Sequence, residues 1–218
     1  MFGGAKSRAA KPLDPLRARF GLRRKALKPA VRAAFDALLE ENARLAARLA
    51  EAEALADRDP LTQAGNRRAF MRALHQAMSY AERYGTPAAV LFIDLDGFKA
   101  VNDGFGHAAG DAVLIHVARL LHAQVRESDV VGRIGGDEFG VILQHASLED
   151  AHRKAEALMR AFEAQPATHA GVTHRVTASI GVHGFAGLED PEIALARADE
   201  AMYAAKHLRK RDAARGAA

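Results

Sequence analysis

The run Arg133-Ile134-Gly135-Gly136-Asp137-Glu138-Phe139-Gly140-Val141-Ile142-Leu143 places two glycines and two acids between apolar stretches. Val130-Val131 before it and Phe139 to Leu143 after it are β-branched and aromatic, so both flanks read as strands. The Gly-Gly between them predicts the positive φ angles of a tight hairpin turn. A hairpin that tips an acid beside bare backbone can hold a metal against phosphate.

A second constraint comes from Val90-Leu91-Phe92-Ile93, a continuous apolar strand that ends on Asp94. A carboxylate there sits at the mouth of a sheet rather than on a solvated helix face. Around these two strands the elements alternate. A helix is expected from about Arg67 to Tyr84, then Gly85-Thr86-Pro87 and the strand Ala88 to Ile93. A loop carrying Asp94, Asp96 and Asn102 leads to a helix from about Gly110 to Val125, followed by the hairpin. Ser147 and Asp150 resemble a capping box opening a helix to about Ala164. Val172 to Val182 reads as one strand, and Asp190-Pro191 supplies an N-cap and first-turn proline for a last helix to about Leu208. From Val90 the order is βαββαβ plus a final helix. This is an α+β class, an α/β sandwich whose sheet contains antiparallel strands and is backed by helices.

The 218 residues, 49% of them hydrophobic, suffice for one domain of about 150 residues and an extension. With no cysteine, disulfides and thiolate metal sites are excluded, which fits a reducing cytoplasm. No run of about 18 apolar residues suggests a membrane span, and the N-terminus does not read as a signal peptide. The net charge of +4 is unevenly spread. Up to Arg32 ten basic residues face one acid, Asp14, leaving twenty-one basic against twenty-six acidic residues over the rest. The basic character therefore belongs to an arm, residues 1–28. That arm is either a solvated tail or a short basic amphipathic helix for an acidic partner or an anionic membrane surface, which would make the protein peripheral to the membrane. Nucleic acid is the weaker partner, because Phe20 is the arm's main aromatic and interleaved aromatics are missing.

Between the arm and the catalytic part, Val31, Phe35, Leu38, Asn42, Leu45, Leu49, Ala52 and Ala56 recur at alternating steps of four and three. This is a heptad seam with Asn42 at an a position, a device that specifies a parallel two-stranded register. Residues 29–58 are accordingly read as a helical coiled-coil stalk that makes a homodimer, against the alternative of a single helix folded on its own domain. Residues 59–210 are read as the folded domain that carries these acids and 211–218 as a tail.

Several separated stretches now align with one family. Asp59-Pro60-Leu61-Thr62 with Asn66-Arg67-Arg68, Phe92 to Lys99, Asn102-Asp103, Gly106-His107, Gly110-Asp111, the hairpin Gly135 to Phe139, Ser179 to Val182 and Asp199 to Lys206 resemble, in order, the GGDEF family of diguanylate cyclases. The resemblance covers about residues 59–208. It implies a palm-like, nucleotidyl-cyclase-like sheet and the Mg²⁺-dependent condensation of two GTP into cyclic di-GMP and two pyrophosphates. Asp94, the Leu95 carbonyl and Asp137 would hold two Mg²⁺ per site, with Mn²⁺ as a substitute. Asp137 would also accept the 3′-hydroxyl proton, with Glu138 in support. Asn102 and Asp111 would read guanine, since a carboxylate accepts from N1 and N2 while an amide NH₂ donates to O6. His107 would line the base pocket. Lys99, Lys206 and the backbone at Gly97 and Phe98 would meet the phosphates.

Two departures stand out. Lys210 occupies the place of an arginine, keeping the charge but losing the bidentate fork, which should weaken GTP binding. Gln63-Ala64-Gly65 replaces the family's Gly-Leu-Pro. Arg126 and Asp129 match the family's Arg-x-x-Asp inhibitory site, implying cyclic di-GMP as product and inhibitor. The competing function is a non-catalytic cyclic di-GMP receptor that signals through its arm. If the seam makes a coiled coil, mass measurement in solution will give a dimer for the full chain and a monomer for one lacking residues 1–58; two monomers would dismiss the coiled coil.

Overall fold

The computed structural model describes residue 21, residue 23 and residues 27–216, with the side chains of 50–55 and 208–216 excepted. Most of the basic arm and the side chain of Lys210 therefore lie outside the described residues. The chain divides into two units, residues 1–54 and 55–218.

The first unit is dominated by helix α1, Pro29–Ala56. Four of its seam residues, Val31, Leu38, Leu45 and Leu49, are more than half exposed within the single chain, while Phe35 is partly buried. No helix among the described residues is long and apolar enough to cross a membrane.

The second unit is a five-stranded sheet with helices on both faces. In chain order its elements are β1 Gly65–Asn66, α2 Arg67–Tyr84, β2 Ala88–Asp96, α3 Phe98–Phe105, α4 His107–Gln124, β3 Val130–Arg133, β4 Glu138–Leu143, α5 Leu148–Ala164, β5 Ala167–His169, β6 Val172–His174, β7 Thr177–Phe185 and α6 Pro191–Gly216. The sheet order is β1-β3-β4-β2-β7, with β5-β6 a separate hairpin. Among the described residues, only the β1–β3 pair of this sheet is parallel. Alternation along β2 splits the core. Leu91, Ile93 and Leu95 join Val117, Leu121 and Leu158 of α4 and α5 on one face. Val90 and Phe92 join Phe70, Leu74, Ala198 and Met202 of α2 and α6 on the other.

The expected local signals recur. Asn66 caps α2 by accepting from Ala69 N at 3.0 Å, and Gly85 ends that helix at φ 63°. Ser147 and Asp150 form the reciprocal capping box of α5. Asp190 accepts from Glu192 N at 2.9 Å where α6 begins.

Four expectations are corrected. The residues after β2 form helix α3 rather than a loop, so Asn102 is helical, and α4 starts at His107, three residues early. Gly97 at φ 72° and Gly106 at φ 82° make both bends, letting helix follow strand and helix follow helix without a spacer. Gly135 and Gly136 are not among the positive-φ glycines. At Gly135 the need is room: a Cβ there would collide with the Glu138 carboxylate. The stretch from Val172 to Val182 is not one strand, because β6 pairs back on β5 through Ala170 and Gly171, both at positive φ, before β7 begins at Thr177. Finally, α6 continues past Leu208 to Gly216.

Phe70 explains two further glycines. Gly132 and Gly140 pair across β3 and β4, and a Cβ on either would stand 2.7 or 2.5 Å from the ring of fully buried Phe70. Gly181 serves α6 in the same way, since a Cβ there would strike the Ala198 carbonyl and the Met202 backbone. Backbone cannot step aside as a flexible side chain can, so Gly181→Ala should cost about 1–3 kcal/mol of stability. Gly136 has nothing within 4 Å of its missing Cβ, and Gly136→Ala should stay within about 0.5 kcal/mol. Urea titration of the two variants checks the contrast.

Candidate functional site

The site is built where β2 leaves the core. Along β2 the side chains stay buried until Asp94 and Asp96, which are half-buried on the α6 face. The register sets Asp94 between Glu138 of β4 and Ser179 of β7. The turn carrying Asp137 is tied to the same strand, because Leu95 N donates to the Asp137 carbonyl at 3.3 Å. The structure thus brings Asp94, Leu95, Asp137 and Glu138 to one sheet end.

The turn is braced from below. Arg133 donates through Nη2 to the Gly136 carbonyl at 2.7 Å, and through Nη1 to both Asp59 oxygens at 3.1 and 3.2 Å. Asp59 also accepts from Thr62 N and Oγ1. Burial opposes the Asp59 charge, yet the bonds from Thr62 and Arg133 outweigh it and hold the carboxyl below the usual aspartate range. Asp59 and Arg133 have their side chains largely shielded from solvent. The opening Asp-Pro-Leu-Thr segment therefore clamps the tip that presents Asp137.

Charge is concentrated here. Burial pushes the Glu138 carboxyl up, and Asp137, Asp94 and Asp199 push the same way against Arg67. Glu138 lines a cavity of 250 Å³ with Arg67, Phe92, Glu192 and Asp199, and Arg67 pairs with Glu192 at 2.7 Å. Lys206 enters from α6, hydrogen-bonds Asp94 Oδ1 and lies 3.5 Å from Asp96 Oδ1. Burial works against its ammonium, but the two acids prevail and raise its pKa above that of an ordinary lysine. Among the described residues no three acidic or histidine side chains form a ready metal cage. The available donors are two carboxylates and a carbonyl, all hard oxygens. That set suits a divalent cation that completes its shell with water or substrate oxygens.

The α3–α4 bend forms the second part. Gly97 opens α3 and Phe98 packs against the core, while Lys99 stays exposed. Asn102 lies directly on Gly110, so closely that a Cβ at 110 would overlap its Oδ1. Gly110, the residue before Asp111, is what lets α3 carry Asn102 up against α4. His107 is the exposed first residue of α4.

Arg126 and Asp129 stand elsewhere. Asp129 accepts from Arg126 N at 2.9 Å and from Gln144 N at 3.1 Å, just past the far end of β4 from Glu138. Five strand steps separate the two ends, about 17 Å. With Gln144, Asp150, Arg153 and Lys154 they line a separate cavity of 300 Å³. Sequence reasoning gave no individual role to Arg133, Arg67, Ser179 or Asp199. Arg133 alone had a local signal, a charged residue at the inner end of an otherwise apolar strand.

Residues 56–212 match the family model described as diguanylate cyclase, GGDEF domain. Diguanylate cyclase TpbB of Pseudomonas aeruginosa is 42% identical over 178 residues, covering 79% of this chain and 41% of that protein. Diguanylate cyclase DosC of Escherichia coli is 40% identical over 149 residues, covering 68% and 32%. The chain thus spans well under two thirds of these relatives' own length. The solved GGDEF domain of TpbB superposes with a TM-score of 0.64 at 41% identity, covering 67% of this chain and 92% of that one. The coiled coil and GGDEF domain of DgcB from Caulobacter crescentus, in complex with c-di-GMP, gives 0.70 at 27% identity, covering 82% and 95%. With the family model spanning most of the chain and these domains sharing its sheet, the chain belongs to the GGDEF domain family.

Proposed function

We propose that the protein is a diguanylate cyclase that joins two GTP molecules into cyclic di-GMP and releases two pyrophosphates. The observation that carries this reading is the register that sets Asp94 beside Glu138 and ties Leu95 to Asp137 at one sheet end. Asn102 and Asp111 orient guanine, the amide donating to O6 and the carboxylate accepting from N1 and N2. His107, the exposed first residue of α4, would line the base pocket. Adenine offers the reverse pattern at its edge, so the pair favours GTP. Lys99, Lys206 and Lys210 bring positive charge to the phosphates, and the backbone at Gly97 and Phe98 approaches them closely.

Asp94, the Leu95 carbonyl and Asp137 would hold Mg²⁺, or Mn²⁺ in its place. Bound there, the ion neutralises phosphate charge and acidifies the attacking hydroxyl. Asp137 accepts the 3′-hydroxyl proton as that oxygen attacks the α-phosphorus of the second GTP. The bond from that phosphorus to the bridging oxygen breaks, and pyrophosphate leaves. Glu138, whose carboxyl is pushed above the usual glutamate range by burial and its acidic neighbours, supports rather than replaces Asp137. Each domain holds one GTP, so two must face each other. The exposed leucines of α1 supply a surface for such pairing as a coiled coil, since packing a and d residues against a second copy removes them from water.

Cyclic di-GMP is also the inhibitor in this reading. The Arg126 and Asp129 cavity is also lined by Arg153 and Lys154, and by Asp150, which pairs with Arg153; in this reading the basic side chains meet the product's phosphates. Because Asp129 already accepts two backbone N–H groups, its geometry is set before a guanine arrives. The basic arm would contact an acidic partner or an anionic membrane surface, leaving the enzyme cytoplasmic.

Incubation with GTP and Mg²⁺ should yield cyclic di-GMP by mass spectrometry, and Asp137→Ala should cut the rate by about 10²–10³-fold, as for loss of one electrostatic anchor of a transition state. No product from the parent protein would sink the reading. Arg126→Ala should keep the initial rate and abolish the slowing that added cyclic di-GMP causes; unchanged inhibition would remove this site from the account.

A further inference from the structure

Two acids compete for one ammonium at the end of β2, and they are held differently. Asp94 belongs to the donor set beside Asp137. Asp96 lies two strand steps beyond on the same face, and its Oδ1 accepts from Ser179 Oγ at 2.9 Å. Ser179 is 1% exposed, so that hydrogen bond is shielded from water. Lys206 hydrogen-bonds Asp94 and reaches Asp96 at 3.5 Å.

A divalent cation and an ammonium cannot share the same carboxylate oxygen without strong repulsion. The geometry points to a hand-over: Asp94 releases Lys206 when a divalent cation binds, while Asp96, oriented by buried Ser179, keeps the ammonium beside the site for the incoming phosphate. Lys206 is then the resident counter-charge of the acids before it meets substrate, and Asp96 and Ser179 are its positioning residues. The distances allow this without moving α6, because Asp96 already lies within ion-pair reach of the same nitrogen. A single acid could not do both tasks. Asp94 alone would leave Lys206 unpaired in a half-buried place once the cation arrived, and the site would bind the cation at the expense of its phosphate contact.

The phosphate in this scheme rests on the cyclase reading, but the exchange at Asp94 does not, and the metal alone can measure it. Free Mn²⁺ is followed by electron paramagnetic resonance while it titrates the full chain without nucleotide. Lys206→Met should tighten Mn²⁺ binding about tenfold or more, the weight of one hydrogen bond between charged groups. Lys206→Arg should bind as the parent does. Lys99→Met removes an equal charge from exposed α3, where Lys99 has no ion pair among the described residues, and should shift binding less than twofold. Equal shifts for Lys206→Met and Lys99→Met, or no shift for Lys206→Met, would overturn the hand-over.

The positioning half is read from coupling. Ser179→Ala should weaken GTP binding about fivefold in the parent chain and change nothing in the Lys206→Met background. A loss of the same size in both backgrounds would make Ser179 a packing residue and overturn its role here. A parent chain that makes no cyclic di-GMP would refute the cyclase reading while leaving the Mn²⁺ result standing, so the two failures are distinguishable.

Discussion

The antiparallel register of β2 between β4 and β7 is the constraint on which the site depends. Side chains alternate along a strand, so a slip of one residue would turn Asp94 and Asp96 into the α4–α5 core and expose Ile93 and Leu95 to the α6 face. Such a slip would bury two charges and expose two large apolar groups, each a cost of several kcal/mol. The same packing that stabilises the sheet therefore sets the distance between Asp94 and the turn carrying Asp137. The core and the candidate site use one register.

A second layer of constraint reaches the turn from outside the sheet. Asp59, at the start of the second unit, holds Arg133, and Arg133 holds the Gly136 carbonyl. An arginine spanning a carboxylate and a carbonyl is rigid at both ends, so the turn needs no left-handed glycine to keep its shape. Gly135 instead leaves space for Glu138. Small residues elsewhere serve the same end: Gly110 admits Asn102, Gly132 and Gly140 admit Phe70, and Gly181 admits α6. The common device is backbone made bare where another group must come close.

The site's acids were legible because the residue type and the end of a continuous apolar run coincide at Asp94, and a Gly-Gly turn precedes Asp137. The capping box of α5, the N-cap of α2 and the proline at the start of α6 were legible for a similar reason, since each is a local pattern with a local cause. Helix α3 was not. Asn-Asp-Gly reads as a turn by its chemistry, and only the packing of Phe98 and Val101 on the core makes those residues helical. The long strand expected from Val172 failed likewise, because β-branched residues favour strand without saying where a chain turns back. Arg133 with Asp59, and Ser179 with Asp96, pair residues 74 and 83 positions apart, a separation at which no periodicity operates.

By itself the sequence determined the family, the α+β class, the order of the principal strands and helices, and the chemical identity of the acids, the amide and the lysines, because residue type, periodicity and turn chemistry act over a few neighbours. Only the tertiary structure decided which carboxylate meets Lys206, that Asn102 comes against Gly110, and that the Arg126 cavity lies at the opposite end of β4 from Glu138. Those are contacts between distant segments, and they exist only once the two core faces have selected one strand register.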